Sequence, residues 1–262
     1  MFDQVKSIVN SHMNNSSLSD SDKINQSLRI LAKVRSNQIA TTIKNEYGLE
    51  VLGGPFKGMN FIEEVSEGCY VPKLLGIYES ELHPLIKLII NDPPDIFINV
   101  GSAEGYYSVG LKRLLPKTEV YAFDIDINAQ NKTNDLAKIN NVDIFVNGEF
   151  NIEILKDFKR ENIFLMCDIE GDEVNLFKKD KIQFLKNISI CIELHIKDGI
   201  HNKNILPELF KDTHDVEIVW QKGKENYDVP DAIKNLEHLD LLLSAWEWRS
   251  YPTPWLIATP IN

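Results

Sequence analysis

The stretch DIFINVGSAEGYYSVG, residues 95–110, decides how the rest of the chain is read. A run of apolar β-formers ends at Asn99, and glycines stand at 101 and 105. Tyr106, Tyr107, Val109 and Leu111 follow at a spacing that continues as a helix. Strand, glycine turn and helix together cradle a nucleotide, because glycine lets the backbone approach closely and the helix start offers free N–H groups. The turn Gly101-Ser102-Ala103-Glu104-Gly105 departs from the dinucleotide pattern GxGxxG at Ala103 and Tyr106. It also serves as a plain strand-to-helix turn, so it takes its meaning from what surrounds it.

Outward from that turn, strands and helices alternate. Near-continuous apolar runs occupy 95–100, 119–124, 143–146, 162–168 and 188–194, as in IFLMCD and ISICIEL. Such runs suit parallel strands covered on both faces. Helical stretches fall between them at 104–115, 127–140, 151–158 and 173–185. Two later strands, DVEIVW (215–220) and WLIATP (255–260), are separated by a helix over 231–246. The series predicts an α/β fold with a doubly wound, mostly parallel, seven-stranded sheet and an antiparallel edge. Upstream, residues 1–45 read as polar helices broken at NNSSLSDSD, where a serine or aspartate caps the second helix. Ile24, Leu28, Leu31 and Val34 recur there at helical spacing. LEVLGGPFKGMNFIEE (49–64) carries a hairpin signal at Gly53-Gly54-Pro55. We therefore expect a helical and hairpin extension over 1–85, which caps the site or builds a homo-oligomer, followed by a Rossmann-like domain over 86–262.

Composition narrows the partners. The 262 residues are 43% hydrophobic and 26% charged, with a formal net charge of −11. An acidic chain repels phosphate backbones, which argues against nucleic acid as the main partner. No window approaches the roughly 18 apolar residues of a membrane span. The first 20 residues lack a basic region followed by an apolar core, so no secretory signal is expected. Cys69, Cys167 and Cys191 lie far apart without CxxC spacing, which suits a cytoplasmic protein and argues against a zinc ribbon or disulfide framework.

In an open parallel sheet, ligands bind beyond the carboxyl ends of the strands. The second strand ends VYAFDID, and Asp124 lies where a carboxylate meets a ribose, unless it is only a solvated strand end. The fourth ends CDIEGDE and the fifth CIELH. Alternation puts Asp168 and Glu170 on one side, and Glu193 and His195 likewise. Neighbouring strands then gather three carboxylates and an imidazole at one rim, which raises a carboxylate pKa or invites a divalent cation. The bland alternative is loop capping by Asp168 and an exposed His195. Near the C-terminal end, SAWEWRSYPTPWLI offers Trp248, Tyr251 and Trp255 as an acceptor wall, or as core packing beside a Glu247–Arg249 pair.

The set INVGSAEGYYSV, VYAFDID, CDIEGDE and CIELH, in this order, resembles the FkbM-like class I methyltransferases over residues 95–195. This chain has Asn99 where the family has an acid. The resemblance implies S-adenosylmethionine as cofactor. Asn99, Gly101, Ser102, Ala103 and Gly105 would surround its methionine part. Asp124 would hold the ribose, Ile125 the adenine face, and Gly148 and Glu149 the adenine amino group. PKLLGIYESEL resembles helices that cover the methionine end, with Tyr78 and Glu81 as candidates and the glutamate pairing the cofactor ammonium. By analogy with catechol-type O-methyltransferases, Asp168, Glu193 and His195 would hold Mg²⁺ or Mn²⁺, and His195, Asp168 and Glu170 would form the catalytic set. The expected reaction is O-methylation of a small molecule or glycan, without a nucleic-acid or membrane partner. A non-catalytic nucleotide-binding module and an NAD-dependent oxidoreductase are the competing readings.

Overall fold

A computed structural model describes residues 2–66, 68–158, 162–224, 233 and 236–261. Two helices, α1 (Phe2–Met13) and α2 (Asp20–Tyr47), come first. Ser19 caps α2, its hydroxyl oxygen accepting the Asp22 N–H at 3.1 Å. After a loop come α3 (Val71–Leu75) and α4 (His83–Asn91). The alternating series is β1 (Ile96–Val100), α5 (Tyr106–Leu114), β2 (Glu119–Phe123), α6 (Ile127–Ile139), β3 (Phe145–Asn147), β4 (Ile163–Cys167), α7 (Glu173–Leu176) and β5 (Ser189–Glu193). A small hairpin, β6 (Ile196–Lys197) and β7 (Ile200–His201), leads to α8 (Leu206–Phe210), β8 (His214–Val219), α9 (His238–Ala245) and β9 (Trp255–Pro260).

The sheet has seven strands in the order β3-β2-β1-β4-β5-β9-β8. Strands β3, β2, β1, β4 and β5 pair in parallel. The reversed strand is β9, and it lies one place in from the edge, antiparallel to both β5 and β8. Chain order reverses between β1 and β4, which puts a ligand crevice beyond their carboxyl ends. Alternate residues feed two cores. Phe97, Val120, Phe164 and Met166 pack toward α2, α3 and α5. Ile96, Ile98, Val100, Leu165 and Ile190 pack with Phe177 and Phe210 on the other face.

Local differences from the sequence reading have local causes. The 49–64 segment folds back through a single bridge, Glu50 to Asn60, and forms no strands. Helix 151–158 is a 3₁₀ turn at Ile152–Lys156, and 173–185 splits into α7 and a 3₁₀ segment at Lys179–Phe184. The helix expected over 231–246 is α9 in its second half, while 231, 232, 234 and 235 lie outside the described residues. The stripe that made α2 legible faces outward: Ile24, Leu28 and Leu31 are exposed, and Ser36, Ile39, Ala40 and Ile43 are buried instead. Arg29 meets the C-terminal segment, donating to the carbonyls of Trp248 at 2.7 Å and Arg249 at 3.0 Å. Arg35 forms a two-bond fork on Asp240 of α9. Among the described residues no helix is long and apolar enough to cross a membrane.

Candidate active site

The glycine turn after β1 is braced from three sides. Gly101 has φ 77°, and a Cβ there would sit 1.6 Å from the Asp168 carbonyl oxygen. Only glycine lets the ends of β1 and β4 approach this closely. The Ala103 N–H donates to Asp124 Oδ2 at 2.8 Å, and the Thr133 hydroxyl of α6 donates to the Ala103 carbonyl at 2.8 Å. Gly105 then starts α5. Six non-glycine residues among those described have a left-handed backbone, and four of them line the cavity above this turn: Glu79, Ala103, Glu170 and Trp248. Strained backbone that persists at one place is held there by its surroundings, as at a working site.

Two cavities meet at Gly101, Asp168 and Glu170. One, of about 610 Å³, is lined by Asp124, Ile125, Gly148, Glu149 and Phe150. Ile125 is 85% exposed there, an apolar face open to a planar ring. The other, of about 430 Å³, is lined by Asn99, Ser102, Lys73, Tyr78, Glu79, Glu193, His195 and the 247–251 segment. The cleft is thus one trough in two lobes, with the glycine turn as the saddle.

His195 is fixed by Glu173. Its Nδ1 lies 2.9 Å from Glu173 Oε1, and that fully buried carboxylate also accepts N–H groups from Ile169, Gly171 and Asn202. Burial works to raise the Glu173 pKa, but His195 and the backbone donors outweigh it and hold the group low. Nε2 of the same imidazole faces Glu170 Oε2 at 3.5 Å, Glu193 Oε2 at 3.5 Å and Asp168 Oδ1 at 3.7 Å. Burial would lower the His195 pKa, yet the Glu173 hydrogen bond and the surrounding carboxylates raise it. Burial, then the Glu193 charge, pushes Asp168 well above the carboxylate range. Asp168 Oδ1 is buried and has no hydrogen-bond partner among the described residues. One ligand atom from each of Asp168, Glu193 and His195 lies within 4.8 Å of the others.

Three dimensions now permit comparison with known folds. No family model matches the sequence, and no curated protein matches it. The METTL16 methyltransferase domain superposes with a TM-score of 0.51 at 15% identity, over 100% of this chain and 92% of that one. A human methyltransferase 10 domain-containing protein gives 0.49 at 13% identity, over 87% and 96%. The O-methyltransferase TomG from Streptomyces achromogenes, in complex with SAM, gives 0.47 at 12% identity, over 71% and 81%. The chain has the Rossmann-like methyltransferase fold.

Within that fold, Asn99, Gly101, Ser102, Ala103 and Tyr78 line the smaller lobe, and Asp124, Ile125, Gly148 and Glu149 the larger. Asn99 is neutral and donates to the Ser108 hydroxyl of α5 at 3.0 Å. Glu81 lines neither lobe, and Glu79 lines the smaller one instead. The 71–90 segment is no continuous helix: Gly76 and Glu79 both turn left-handed, which resets the helical phase. Trp248, Tyr251 and Trp255 do line the lobe, and Lys33 of α2 lies 4.8 Å over the Trp248 ring.

Of the charge network behind this wall, sequence reasoning gave the Glu247–Arg249 pair and missed the parts taken by Glu79, Glu193 and Lys224. Arg249 donates to Glu79 and Glu193, to Glu247 Oε2 at 3.2 Å and to the Thr253 hydroxyl at 2.6 Å. Lys224 lies 2.5 Å from Glu247. Three glutamates thus face two cations, and one carboxylate is left short of positive charge. Burial foremost, with Glu193 and Glu247 nearby, raises Glu79 to about 8 despite Arg249 and the Tyr107 hydroxyl. Between its ordinary 4.5 and 8, the folded chain binds a proton at Glu79 that the unfolded chain releases. That contribution to stability is complete at low pH and is lost as pH rises through 8. Glu79→Gln is therefore expected to flatten the fall in melting temperature between pH 5 and pH 8. Superimposable pH profiles for the two proteins would refute this.

Proposed function

We propose that the chain is an S-adenosylmethionine-dependent methyltransferase that methylates a hydroxyl of a small molecule or glycan with a divalent cation at Asp168, Glu193 and His195. The observation that carries this reading is the His195 centre. Glu173 takes the Nδ1 side, so Nε2 is directed at three carboxylates beside the glycine turn. A carboxylate behind a histidine fixes the tautomer and ring direction that ligation needs. Asp168 Oδ1, buried and unpartnered, suits an ion, and Glu193 offers Oε2 while Arg249 holds Oε1. The two carboxylates suit Mg²⁺, and the imidazole shifts the preference toward Mn²⁺. The FkbM-like motifs at 95–195 and the two-lobed trough support the nucleoside cofactor.

When bound, the cofactor supplies an electrophilic methyl on a good leaving group, and the cation lowers the pKa of a bound hydroxyl. The protein's residues do the rest. Asp124, which also accepts the Ala103 and Asp126 N–H groups, would receive ribose hydroxyls at the end of β2, beside the turn that Gly101 makes possible. Asp168, Glu193 and His195 would hold the cation at the acceptor oxygen's end of the lobe, and Glu170, which lines it and is no ligand, would take up the hydroxyl's proton. Trp248, Tyr251 and Trp255 exclude water and orient the acceptor.

The test is methyl transfer across a panel of sugars and catechols, before and after chelation, alongside Asp168→Asn and His195→Ala. Turnover is expected to fall in each case by more than roughly ten- to hundred-fold, the loss that follows removal of an outer-shell partner alone. Unchanged turnover in all of them removes both the cation and the His195 role. Transfer that survives chelation but falls with His195→Ala makes the imidazole the proton acceptor without metal. Nucleoside binding with no transfer to any acceptor favours the non-catalytic module, and NAD binding in its place favours the oxidoreductase.

A further inference from the structure

We propose that Lys73 Nζ and Ser102 Oγ bind the α-carboxylate at the amino-acid end of the methyl donor, so that the charged tail is read from outside the sheet by α3. The inference rests on the methyltransferase reading and names the residues that hold this end of the donor.

Lys73 is 4% exposed, which is rare for a lysine and calls for a reason. Its ammonium meets Glu104 Oε1 at 2.5 Å and lies 4.9 Å over the Tyr78 ring. That contact uses one of three N–H groups, and two remain for another acceptor. Burial alone would drive the ammonium toward neutrality, but Glu104, together with Cys69 and Glu79, outweighs burial and keeps it charged. Both Glu104 oxygens are engaged, one by Lys73 and one by the Ser66 N–H at 3.2 Å. The carboxylate thus holds the ammonium in place and leaves its remaining donors available.

Ser102, directly after Gly101, is also buried, and its hydroxyl has no partner among the described residues. A buried hydroxyl without a partner is costly unless a ligand satisfies it. Both groups line the smaller lobe, on the far side of the saddle from Asp124 and Ile125. A nucleoside seated in the larger lobe sends its amino-acid tail over the turn toward them. The other cations of this lobe are differently placed. Arg249 is committed to Glu79, Glu193, Glu247 and Thr253, and Lys33 lies over the Trp248 ring. Asn99 brings no charge to the cradle, which leaves Lys73 as the buried cation beside it.

The experiment is calorimetry with two probes, S-adenosylhomocysteine and 5′-methylthioadenosine, which share the adenosine and sulfur but differ in the amino-acid tail. The variants are Ser102→Ala and the pair Lys73→Met with Glu104→Gln, which removes the ammonium without stranding a buried carboxylate. Loss of charge-assisted hydrogen bonds predicts about a tenfold or greater drop in adenosylhomocysteine affinity for the paired variant. A drop of about threefold is expected for Ser102→Ala, the size of a neutral hydrogen bond. Methylthioadenosine affinity is expected to stay within twofold in both. Parallel losses on the two probes, or no loss on adenosylhomocysteine, overturn the assignment and leave the methyltransferase reading standing. A parent protein that binds neither probe overturns both. Should the paired variant not fold, Ser102→Ala decides the question by the same two-probe contrast.

Discussion

Gly101→Ala abolishes adenosylhomocysteine binding, with a loss of more than about 100-fold expected from combined strain and clash. The added methyl would sit 1.6 Å from the Asp168 carbonyl oxygen and 2.7 Å from its carbon, both backbone atoms. No side-chain rotation relieves that, so β1 and β4 must part at their carboxyl ends. The backbone at φ 77° adds a further cost of about 1 kcal/mol for any residue with a Cβ. Parting those strands also moves Asp168 relative to His195, so transfer activity falls with binding. Gly148→Ala is the control for folding, because its Cβ meets only the Gln130 amide at 3.8 Å. Its melting temperature is expected to stay within about 2 °C of the parent, as for surface changes. Retained nucleoside affinity in Gly101→Ala, measured by calorimetry, would mean that the turn is not the cradle.

Arg249→Met has the largest expected effect on stability. The arginine side chain is partly buried among the buried carboxylates of Glu79, Glu193 and Glu247, and its removal leaves three carboxylates with Lys224 as their cation. Removing one member of a buried ion network costs about 3–5 kcal/mol, because the stranded charges lose their compensation. The sign of the pH response follows. Stranded carboxylates bind protons more tightly in the folded chain than in the unfolded one, so acid favours the fold. The deficit relative to the parent is therefore expected to be greater at pH 8 than at pH 5 in urea denaturation. A deficit below about 1 kcal/mol, the scale of exposed pairs, would show that the network adds little. A larger deficit that ignores pH would show that the loss is one of packing, not of charge.

The sheet was legible because its strands are apolar on both faces, and a continuous run such as IFLMC has few other ways to be buried. The segments after β3 and β4 were less so. Ile152 and Leu155 are both buried at a spacing of three, which a 3₁₀ turn satisfies as well as an α-helix. At the cleft, alternation and the β2-β1-β4-β5 order brought Asp124, Asp168, Glu193 and His195 to one rim. Lys73 and Glu79 left no such signal, and Arg249 showed only its pairing with Glu247. They arrive from outside the sheet, Glu79 in a left-handed turn and Arg249 next to one at Trp248, without the glycine that usually marks such turns. Glu173 stood in plain view within CDIEGDE, yet its task depends on His195 lying 22 positions later, a contact that sequence spacing does not encode.

The hold of α2 on the 246–249 segment has a consequence for how the chain is made. Arg29 reaches backbone carbonyls 219 and 220 positions downstream, and Arg35 reaches Asp240 across 205. Contacts of such separation close the largest loops a chain of this size can form, and loop-closure entropy defers them behind nearer pairings. During synthesis the early helices emerge long before the ribosome delivers the tryptophans they clasp. The roof over the smaller lobe is thus a late act of folding, and a nascent chain carries β1 to β5 before it owns a closed chamber.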